Sequence, residues 1–319
     1  MKKNIIYIIC ILFVSLHAYS QNDKLKGYRI EGDEVVFSFD KREYTNAHGA
    51  HGKNLDFADF DIENVVLSGE FNNWSMDQWK MTRIDENIYE LRKKIQDFTD
   101  EFSWEFKYVI NNEYWAEPTS KDLNAVEANN KQGHSLHVYN LNMFTAYADE
   151  NGNASFKLKG YKNAKKVVLS GTFNRWNEEV FKMNKTKGGW GLTLQLKPDE
   201  YEYKFIIDGV WIEDFENPDK RNNEFGGFNS VINIKVPVTF MLNGYLNADK
   251  VILSGSFIHW SENKFPMRKT STGWETTVFL SGGKHHYKFI VDNEWVIDPS
   301  NSVKEYDSEG NINSVYMVK

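Results

Sequence analysis

The chain has 319 residues, a formal net charge of −7 and a single cysteine. Non-specific binding to nucleic acid depends on basic residues that neutralise phosphates, so an acidic chain without a basic block is not expected to have a nucleic-acid partner. Aromatic residues make up 15% of the chain, and 10 residues are Trp. Repeated segments along the chain account for most of this richness.

The first twenty residues are typical of a secretory signal peptide. Two lysines precede an apolar run over Ile5–Val14, and small residues within Ala18–Ser20 stand at the cleavage position. We therefore expect residues 1–20 to direct export to the periplasm, the cell surface or the medium, and loss of the two lysines lowers the formal charge from −7 to −9. The run is too short to span a bilayer, and no longer one follows, so no membrane span is expected. Cys10 lies in the run, so the mature chain must fold through packing alone.

One phrase containing Leu-Ser-Gly, then Phe, and ending in Trp occurs three times, as Val66–Trp74, Val168–Trp176 and Ile252–Trp260. A second phrase with a central Lys follows each copy, as Phe106–Tyr108, Tyr203–Phe205 and Tyr287–Phe289. Such repetition is typical of tandem structural units. We predict three units, at 21–140, 141–236 and 237–319, which leave little room for a catalytic domain.

Strand patterns dominate these units. Apolar residues alternate over Trp190–Leu196 and Trp274–Leu280, and a period of two indicates half-buried strands with Trp190 and Trp274 in the core. Turn sequences such as Asp208-Gly209 separate neighbouring strands. The predicted fold class is all-β, with three tandem immunoglobulin-like β-sandwich domains. Because Val231–Lys235 runs almost directly into unit three, units two and three are expected to be close neighbours.

Unit one carries an insertion over residues 43–61 that contains His48 and His51. Two His residues without a third clear ligand are a weak metal signal. We interpret the insertion as a surface loop, and we expect no metal and no cofactor.

A two-residue turn at Asp208-Gly209 predicts an outward-facing Trp in unit two. The turn sets Ile206 opposite Trp211, and directly opposed residues share one face of a sheet. Trp211 therefore lies on the outer face, diagonal to Lys204. The equivalent residues of unit three are Lys288 and Trp295.

Unit one offers two aromatic candidates for the same position. If Asn111-Asn112 forms a two-residue turn, the register places Tyr114 on the outer face beside Lys107 and turns Trp115 toward the core. The outer aromatic residue of unit one is therefore predicted to be Tyr114.

Large apolar groups that recur at one exposed place mark a binding surface. The axial C–H face of a pyranose stacks on a flat aromatic ring, and Lys supplies hydrogen-bond donors for the sugar hydroxyl groups. Nucleic-acid bases use the same stacking, but the acidic charge disfavours them. The alternative is that Trp211 and Trp295 pack against a neighbouring unit.

At these positions the chain resembles a known family. The phrases Leu-Ser-Gly-x-Phe-Asn-x-Trp and Tyr-Lys-Phe-x-x-Asp-Gly-x-Trp, with Asp298-Pro299 and Asn-Ser-Val, are similar to the glycogen-binding module of the AMP-activated kinase β subunit. That module belongs to family 48 of carbohydrate-binding modules. The resemblance covers all three units, and it implies early-set immunoglobulin-like sandwiches that bind α-glucans through two Trp, a Lys, an Asn and an apolar loop residue.

The site residues implied by the resemblance differ between the units. In unit two they are Trp176, Lys204, Trp211, Phe225 and Asn229. In unit three they are Trp260, Lys288, Trp295 and Asn313, with Glu309 in place of the apolar loop residue. In unit one they are Trp74, Lys107 and Tyr114, with His134 at the Asn position and Asn130 at the loop position. Unit one departs most from the pattern, so either it binds sugar weakly or it is a structural copy that has lost its site.

The function predicted from these observations is that of an exported, non-catalytic α-glucan-binding protein. Its expected partners are an α-glucan polysaccharide or malto-oligosaccharide and, as a candidate, a glycan-degrading enzyme system. The alternative is a structural or adaptor protein with degenerate sugar sites. An enzyme is not expected, because glycoside hydrolysis needs two carboxylates at a defined separation, and Glu117 and Asp298 are interpreted as structural acids at matching places in the repeat.

Overall fold

The computed structural model describes residues 25–49, 54–57, 61–98, 101–129 and 133–318. The predicted signal peptide, residues 1–20, lies outside these ranges. The described chain is almost entirely antiparallel β-structure, and its buried apolar side chains form three separate cores. The predicted all-β class with immunoglobulin-like sandwiches is confirmed, while the boundaries placed at 140 and 236 stay predictions.

Unit one consists of two sheets around a core rich in aromatic residues. Its strands are β1 (Tyr28–Glu31), β2 (Glu34–Asp40), β3 (Asn46–His48), β4 (Asn54–Asp56), β5 (Val65–Gly69), β6 (Thr82–Arg83), β7 (Ile88–Lys94), β8 (Ser103–Ile110), β9 (Tyr114–Ala116), β10 (Ala125–Asn129) and β11 (Ser135–Phe144). One sheet has the order β1-β2-β7-β6, and the other has the order β10-β11-β8-β9-β3-β4 with β5 also paired to β8. Phe37, Phe39, Phe106 and Tyr108 are fully buried between them.

Unit two repeats this arrangement with fewer strands. They are β12 (Tyr147–Ala148), β13 (Ala154–Lys159), β14 (Val167–Gly171), β15 (Asn184–Lys185), β16 (Gly189–Gln195), β17 (Glu200–Ile207), β18 (Val210–Ile212), β19 (Lys220–Asn222) and β20 (Phe228–Asn233). The sheets have the orders β12-β16-β13, with β15 on β16, and β14-β17-β20-β19, with β18 on β17. Trp190 is buried in the core, as predicted from the alternation of its strand.

Unit three has the same two layers. Its strands are β21 (Lys235–Asn243), β22 (Val251–Gly255), β23 (Phe265–Pro266), β24 (Arg268–Lys269), β25 (Gly273–Ser281), β26 (Gly283–Val291), β27 (Glu294–Val296), β28 (Lys304–Tyr306) and β29 (Ile312–Val318). The sheets have the orders β21-β25-β24 and β23-β22-β26-β29-β28, with β27 on β26. Trp274 is buried in this core, again as predicted.

In the described residues, short 3-10 helices connect strands at Lys41–Glu43, Glu70–Asn72, Ile95–Asp97, Thr172–Asn174 and Ser256–Ile258. No helix in the described part of the chain reaches the length and apolar character needed to cross a bilayer.

The Leu-Ser-Gly phrase ends β5, β14 and β22 and leads in each unit into one of these helices. A side-chain carbon on Gly171 would lie 2.4 Å from the carbonyl oxygen of Glu202, so the close approach of the two strands requires glycine. The turn that follows holds Trp74, Trp176 and Trp260 in the left-handed region, with φ of 56°, 58° and 58°. This conformation is rare for a bulky residue, and backbone strain of this kind is concentrated at functional sites.

Units two and three contact each other directly. Only Ile234 separates β20 from β21. Ser281 Oγ donates a hydrogen bond to Asn233 Oδ1 at 2.9 Å, and a Cβ added to Gly282 would lie 1.7 Å from the carbonyl oxygen of Pro198. The close neighbourhood expected from the short connection is therefore present.

Candidate functional site

The outer-face Trp of unit two lies where the turn argument places it. Asp208 and Gly209 form a two-residue turn with left-handed φ of 49° and 88°, and Ile206 pairs with Trp211. The Asp208 carboxylate fixes this turn by accepting hydrogen bonds from the backbone amides of residues 165 and 166 at 2.9 and 2.8 Å. The predicted register is confirmed, and Trp211 is 37% exposed.

Each of the two later units presents a pair of Trp rings on its outer face. The ring centroids of Trp176 and Trp211 are 6.0 Å apart with an interplanar angle of 55°. Those of Trp260 and Trp295 are 6.1 Å apart at 63°. The rings of each pair are therefore inclined to one another rather than coplanar. We call these pairs the platforms of units two and three.

A half-buried lysine lies on the same sheet face as each platform. Lys204 is on β17, opposite Ser170, and Lys288 is on β26, opposite Ser254. Neither ammonium group has a hydrogen bond or ion pair with another residue of the described ranges. Each therefore has its three N–H donors available for a ligand.

The predicted asparagines lie at matching positions on the neighbouring strand and are held firmly. The amide of Asn229 donates to Glu202 Oε2 at 2.7 Å, and its oxygen accepts from Asn223 Nδ2 at 3.1 Å. In unit three, Asn313 donates to Asp307 Oδ2 at 3.1 Å. Both asparagines are buried beneath the face.

The two loop positions differ as the sequence suggested. Phe225 is 88% exposed in a loop organised by Asn223, whose Oδ1 accepts from the amides of Phe225 and Gly227 at 3.1 and 3.0 Å. Glu309 is exposed in the corresponding loop of unit three, where its amide donates to Asp307 Oδ1 at 3.0 Å. The loop of unit two therefore offers an apolar contact, whereas that of unit three offers a charge.

The outer aromatic residue of unit one is Trp115, not Tyr114. The turn contains three residues, because Ile110 pairs with Tyr114 and Val109 with Trp115. One extra residue in a turn moves every following side chain to the opposite face. Tyr114 is thus buried in the core at 8% exposure, and the Trp115 ring lies 6.2 Å from that of Trp74 at 57°.

The asparagine position of unit one is also different from the prediction. Leu141 pairs with Phe106 as Ser230 pairs with Tyr203, so Asn140 occupies the place of Asn229. Its amide donates to Glu105 Oε2 at 2.8 Å, as Asn229 does to Glu202. His134 is exposed in the connection before β11, and Asn130 lies outside the described residues. The position of the asparagine differs from the prediction because the β10–β11 hairpin of unit one has longer strands than the β19–β20 hairpin of unit two.

The lysine of unit one is bound within the protein. Lys107 Nζ lies 2.5 Å from Glu117 Oε2, and the two side chains are only 7% and 14% exposed. Burial lowers the pKa of the Lys107 ammonium, and the hydrogen bond to Glu117 opposes this effect. The other oxygen of Glu117 accepts from the Tyr139 amide at 2.6 Å.

The interpretation of Glu117 as the counterpart of Asp298 is wrong. Asp298 accepts from the Tyr287 hydroxyl at 2.6 Å, and Asp214 accepts from the Tyr203 hydroxyl at 2.8 Å. Asp214 and Asp298 are thus the matching structural acids. Glu117 belongs to the outer face, because the three-residue turn shifts the register of β9.

The described part of the insertion of unit one contains two short strands and is not simply a surface loop. β3 pairs with β9, with His48 opposite Trp115, and also with β4. His48 and Gly49 of the insertion and residues of the β10–β11 hairpin line an open cleft of about 600 Å³ above Trp74, Lys107 and Trp115. His51 lies outside the described residues. Within the described ranges, no three His, Cys, Asp or Glu side chains are grouped so that they could hold a metal ion.

The serine of each Leu-Ser-Gly phrase is completely buried beside the lysine. The hydroxyl groups of Ser68, Ser170 and Ser254 have no hydrogen-bond partner, although each serine is paired across the strands with the lysine of its unit. An unpaired buried hydroxyl destabilises a fold. All three units have this unpaired hydroxyl group, and packing alone does not explain its recurrence.

The fold and these faces define a class of β-sandwich protein that carries two inclined Trp rings on the outer sheet of each unit. The chain belongs to the family described as the glycogen recognition site of AMP-activated protein kinase, which matches residues 155–240 and 236–319, together just over half of the chain. These ranges cover most of units two and three, and unit one lies outside them.

Two curated relatives show the same similarity. The chain is 36% identical over 83 residues to the β-1 subunit of 5'-AMP-activated protein kinase from Sus scrofa. The matched segment covers 26% of this chain and 64% of the relative. It is 41% identical over 70 residues to the β-2 subunit from Mus musculus, which covers 22% of this chain and 25% of the relative. The chain therefore spans less than two thirds of the length of these relatives.

Among solved structures, a pullulanase from Bacillus acidopullulyticus aligns with 92% of this chain and 36% of its own. The sequence identity is 12% and the TM-score is 0.21. So low a score supports no conclusion about this chain.

Proposed function

We propose that this protein is an exported, non-catalytic binding protein for an α-glucan such as glycogen or starch, and that the platforms of units two and three are its sugar-binding sites. The observation that carries the proposal is the recurrence of one arrangement in both units. Two Trp rings about 6 Å apart lie on the same face as a lysine within the residues that match the glycogen recognition family.

The chemistry of the platforms suits a neutral polysaccharide. A pyranose has an apolar C–H face that stacks on indole, and stacking of a ring on an aromatic side chain contributes about 1–3 kcal/mol by analogy with bases. Lys204 and Lys288 supply donors for the sugar hydroxyl groups. Phe225 extends the aromatic surface of unit two, whereas desolvation of Glu309 opposes stacking in unit three.

The carboxylates near these faces support binding rather than catalysis. Glu202 holds Asn229 and also accepts from Arg221 at 3.0 Å, while Asp214 and Asp298 hold tyrosine hydroxyl groups. Glycoside hydrolysis requires one carboxyl group as an acid and another as a nucleophile or base across the scissile bond. These groups are instead engaged in maintaining the fold.

Tandem sites favour long polymers. The connection between units two and three is too short for independent movement, so a glucan bound at one platform meets the other at a high effective concentration if the polymer can span both. The predicted leader at residues 1–20 supports a location where extracellular polysaccharide is met, and a glycan-degrading enzyme system is the candidate functional partner.

Affinity electrophoresis of the full chain in gels that contain glycogen tests the proposal. Retardation is expected for the wild-type protein and is expected to be strongly reduced in the Trp211→Ala/Trp295→Ala variant. Phe279→Ala is the matched control, because Phe279 is 66% exposed but lies on the other sheet of unit three. Absence of retardation in the wild type would favour the adaptor alternative, and equal losses in the control would indicate non-specific adhesion.

A further inference from the structure

We propose that the cleft of unit one and the platform of unit two form one extended site, which binds a single linear α-glucan chain. The inference rests on the proposed function, and it assigns a role to the unit that lies outside the matched ranges. Three observations carry it: the floor of the cleft, its walls, and a contact that joins it to unit two.

The floor of the cleft contains the same residue types as the platform of unit two. Trp74 and Trp115 are 6.2 Å apart, close to the 6.0 Å of the unit-two pair. Lys107 is opposite Ser68, and Asn140 is held by Glu105. The strand positions agree although the sequences of the two units differ, so the face of unit one keeps the elements needed to stack a sugar.

The walls of the cleft distinguish it from the open platforms. On one side, β3 places His48 beside Trp115, and on the other, Leu136 and Val138 of β11 line the opening. Glu117 and Glu127 add hydrogen-bond acceptors. An open cleft of about 600 Å³ with these carboxylates among its lining residues offers hydrogen-bond acceptors to the hydroxyl groups of a glucan chain.

Arg175 joins this cleft to the platform of unit two. It immediately precedes Trp176 in the chain, and its guanidinium group lies 3.1 Å from Glu105 Oε1 and 3.2 Å from Glu70 Oε2. Both carboxylates line the cleft. The same guanidinium group also donates to the Ser103 carbonyl oxygen at 3.2 Å. The part of the cleft lined by Glu70 and Glu105 is therefore adjacent to the loop that carries Trp176.

The residue after Trp176 strengthens the same contact. Asn177 Nδ2 donates to the Leu123 carbonyl oxygen of unit one at 3.1 Å. Both neighbours of Trp176 are thus bound to unit one, which fixes the loop that carries Trp176 beside the cleft. In unit three the equivalent residues are His259 and Ser261, and among the described residues their side-chain contacts do not reach another unit.

The geometry along β8 gives the direction of the bound chain. Lys107 and Glu105 are on the same face, and residues two apart along a strand are about 6.8 Å apart. A glucan chain that passes over Lys107 toward Glu105 would reach Arg175, whose side chain is 37% exposed and which directly precedes Trp176 in the chain. The arginine is available there to donate further hydrogen bonds to sugar hydroxyl groups.

Calorimetric titration of the full chain carrying Trp295→Ala, which silences the platform of unit three, tests this inference. The probes are maltotriose and maltodecaose. We expect two maltotriose molecules per chain but only one maltodecaose molecule, bound at least about tenfold more tightly because both halves act on one ligand. Adding Trp115→Ala is expected to weaken maltodecaose binding by about tenfold while one maltotriose site persists.

Arg175→Ala, introduced into the same chain, tests the junction independently of Trp115. It is expected to weaken maltodecaose binding by a larger factor than maltotriose binding, because only the longer sugar crosses the junction, whereas the control His259→Ala at the equivalent position of unit three alters neither. Two maltodecaose molecules per chain, or unchanged maltodecaose affinity in both Trp115→Ala and Arg175→Ala, would overturn the extended site. Failure of the parent chain to bind either sugar would instead show that the proposed function is wrong.

Discussion

Units one and two show how the same outer face is used in two different ways. Each has two Trp rings about 6 Å apart, a lysine and a buried asparagine at equivalent strand positions. In unit two the lysine is unpaired within the described residues and the face is open. In unit one the lysine is bound to Glu117 and the face is bordered by His48 and Gly49 of the insertion.

The difference shows that a binding face is defined by its surroundings as well as by its residues. Unit two exposes donors and an aromatic loop, so it is suited to the side of a polymer. Unit one replaces a free donor with an internal ion pair and adds walls, so it selects ligands by shape. Substitution of the lysine should therefore change binding but not stability in unit two, whereas it should lower stability in unit one.

The largest expected effect concerns the two neighbouring aromatic residues of β9. Tyr114→Ala should destabilise unit one by about 4 kcal/mol, because it leaves a cavity in a packed core. Trp115→Ala should leave the fold intact and reduce sugar binding. Hydrogen exchange across residues 103–116 of the full chain measures the first effect, and titration with maltodecaose measures the second. If instead Trp115→Ala destabilised unit one and Tyr114→Ala reduced sugar binding, the two-residue turn would be correct.

The lysines give the next largest contrast. Lys107→Met should cost about 3 kcal/mol, at the lower end of the range for a broken buried pair, because Glu117 loses its partner but keeps slight contact with water. Lys204→Met should change stability by less than about 0.5 kcal/mol, as for other surface positions, and weaken glycogen binding. Calorimetric unfolding and glycogen gels provide the two readouts. If Lys107→Met lowered stability relative to the wild type no more than Lys204→Met does, the ion pair of unit one would be dispensable for stability.

The pH dependence of unit one should reveal the buried ammonium group. Burial lowers the pKa of Lys107 below its ordinary value of 10.5, so just below that pH the unfolded chain binds this proton more strongly than the folded chain. The contribution of Lys107 to stability therefore rises as the pH increases toward 10.5. The stability of wild type minus that of Lys107→Met/Glu117→Gln, measured by denaturant unfolding, should increase over this window. A flat or falling difference would contradict the burial of the charge.

The smallest effect is expected at the buried serines. Ser170→Ala should leave unit two equally stable or stabilise it by up to about 1 kcal/mol, because it removes an unpaired hydroxyl group. Ser230→Ala is the matched control: its hydroxyl accepts from the Asp214 amide at 2.8 Å, so its loss should cost about 1 kcal/mol. Thermal unfolding distinguishes the two. If Ser170→Ala instead lowers the affinity for glycogen, the hydroxyl group contributes to the ligand.

The prediction of the outer aromatic residue was correct in unit two and wrong in unit one, and the equivalent turns of the two units explain both outcomes. At Asp208-Gly209 the turn residues match a two-residue hairpin, so the position of Trp211 followed from the alternation of side chains. At Asn111 and Asn112 both residues also have left-handed φ, but Glu113 adds a third residue to the turn. Recurrence of Trp in all three units was the signal that could have identified Trp115, had the turn length been allowed to vary.

Other features depended on contacts between distant parts of the chain. Asn140 could be assigned only from its pairing with β8, because the length of the β10–β11 hairpin is not apparent from composition. At the junction, Arg175 contacts Glu105, which is 70 positions earlier in the sequence, and Glu70, which is 105 positions earlier. No local pattern encodes such a contact, whereas the strands, the buried Trp190 and Trp274 and the outward Trp211 and Trp295 follow from local alternation, and Trp176 and Trp260 were implied by the family resemblance.

The most direct test of the proposed binding faces is heteronuclear NMR of the tryptophan indole N–H groups during titration of the full chain with maltoheptaose. The signals of Trp176, Trp211, Trp260 and Trp295 should shift as sugar stacks on them. Those of Trp190 and Trp274, whose indole nitrogens donate to the carbonyl oxygens of residues 161 and 245 at 3.1 and 3.0 Å in the interior, should stay unchanged. Unchanged signals from all four platform residues at saturating sugar would contradict α-glucan binding by these faces.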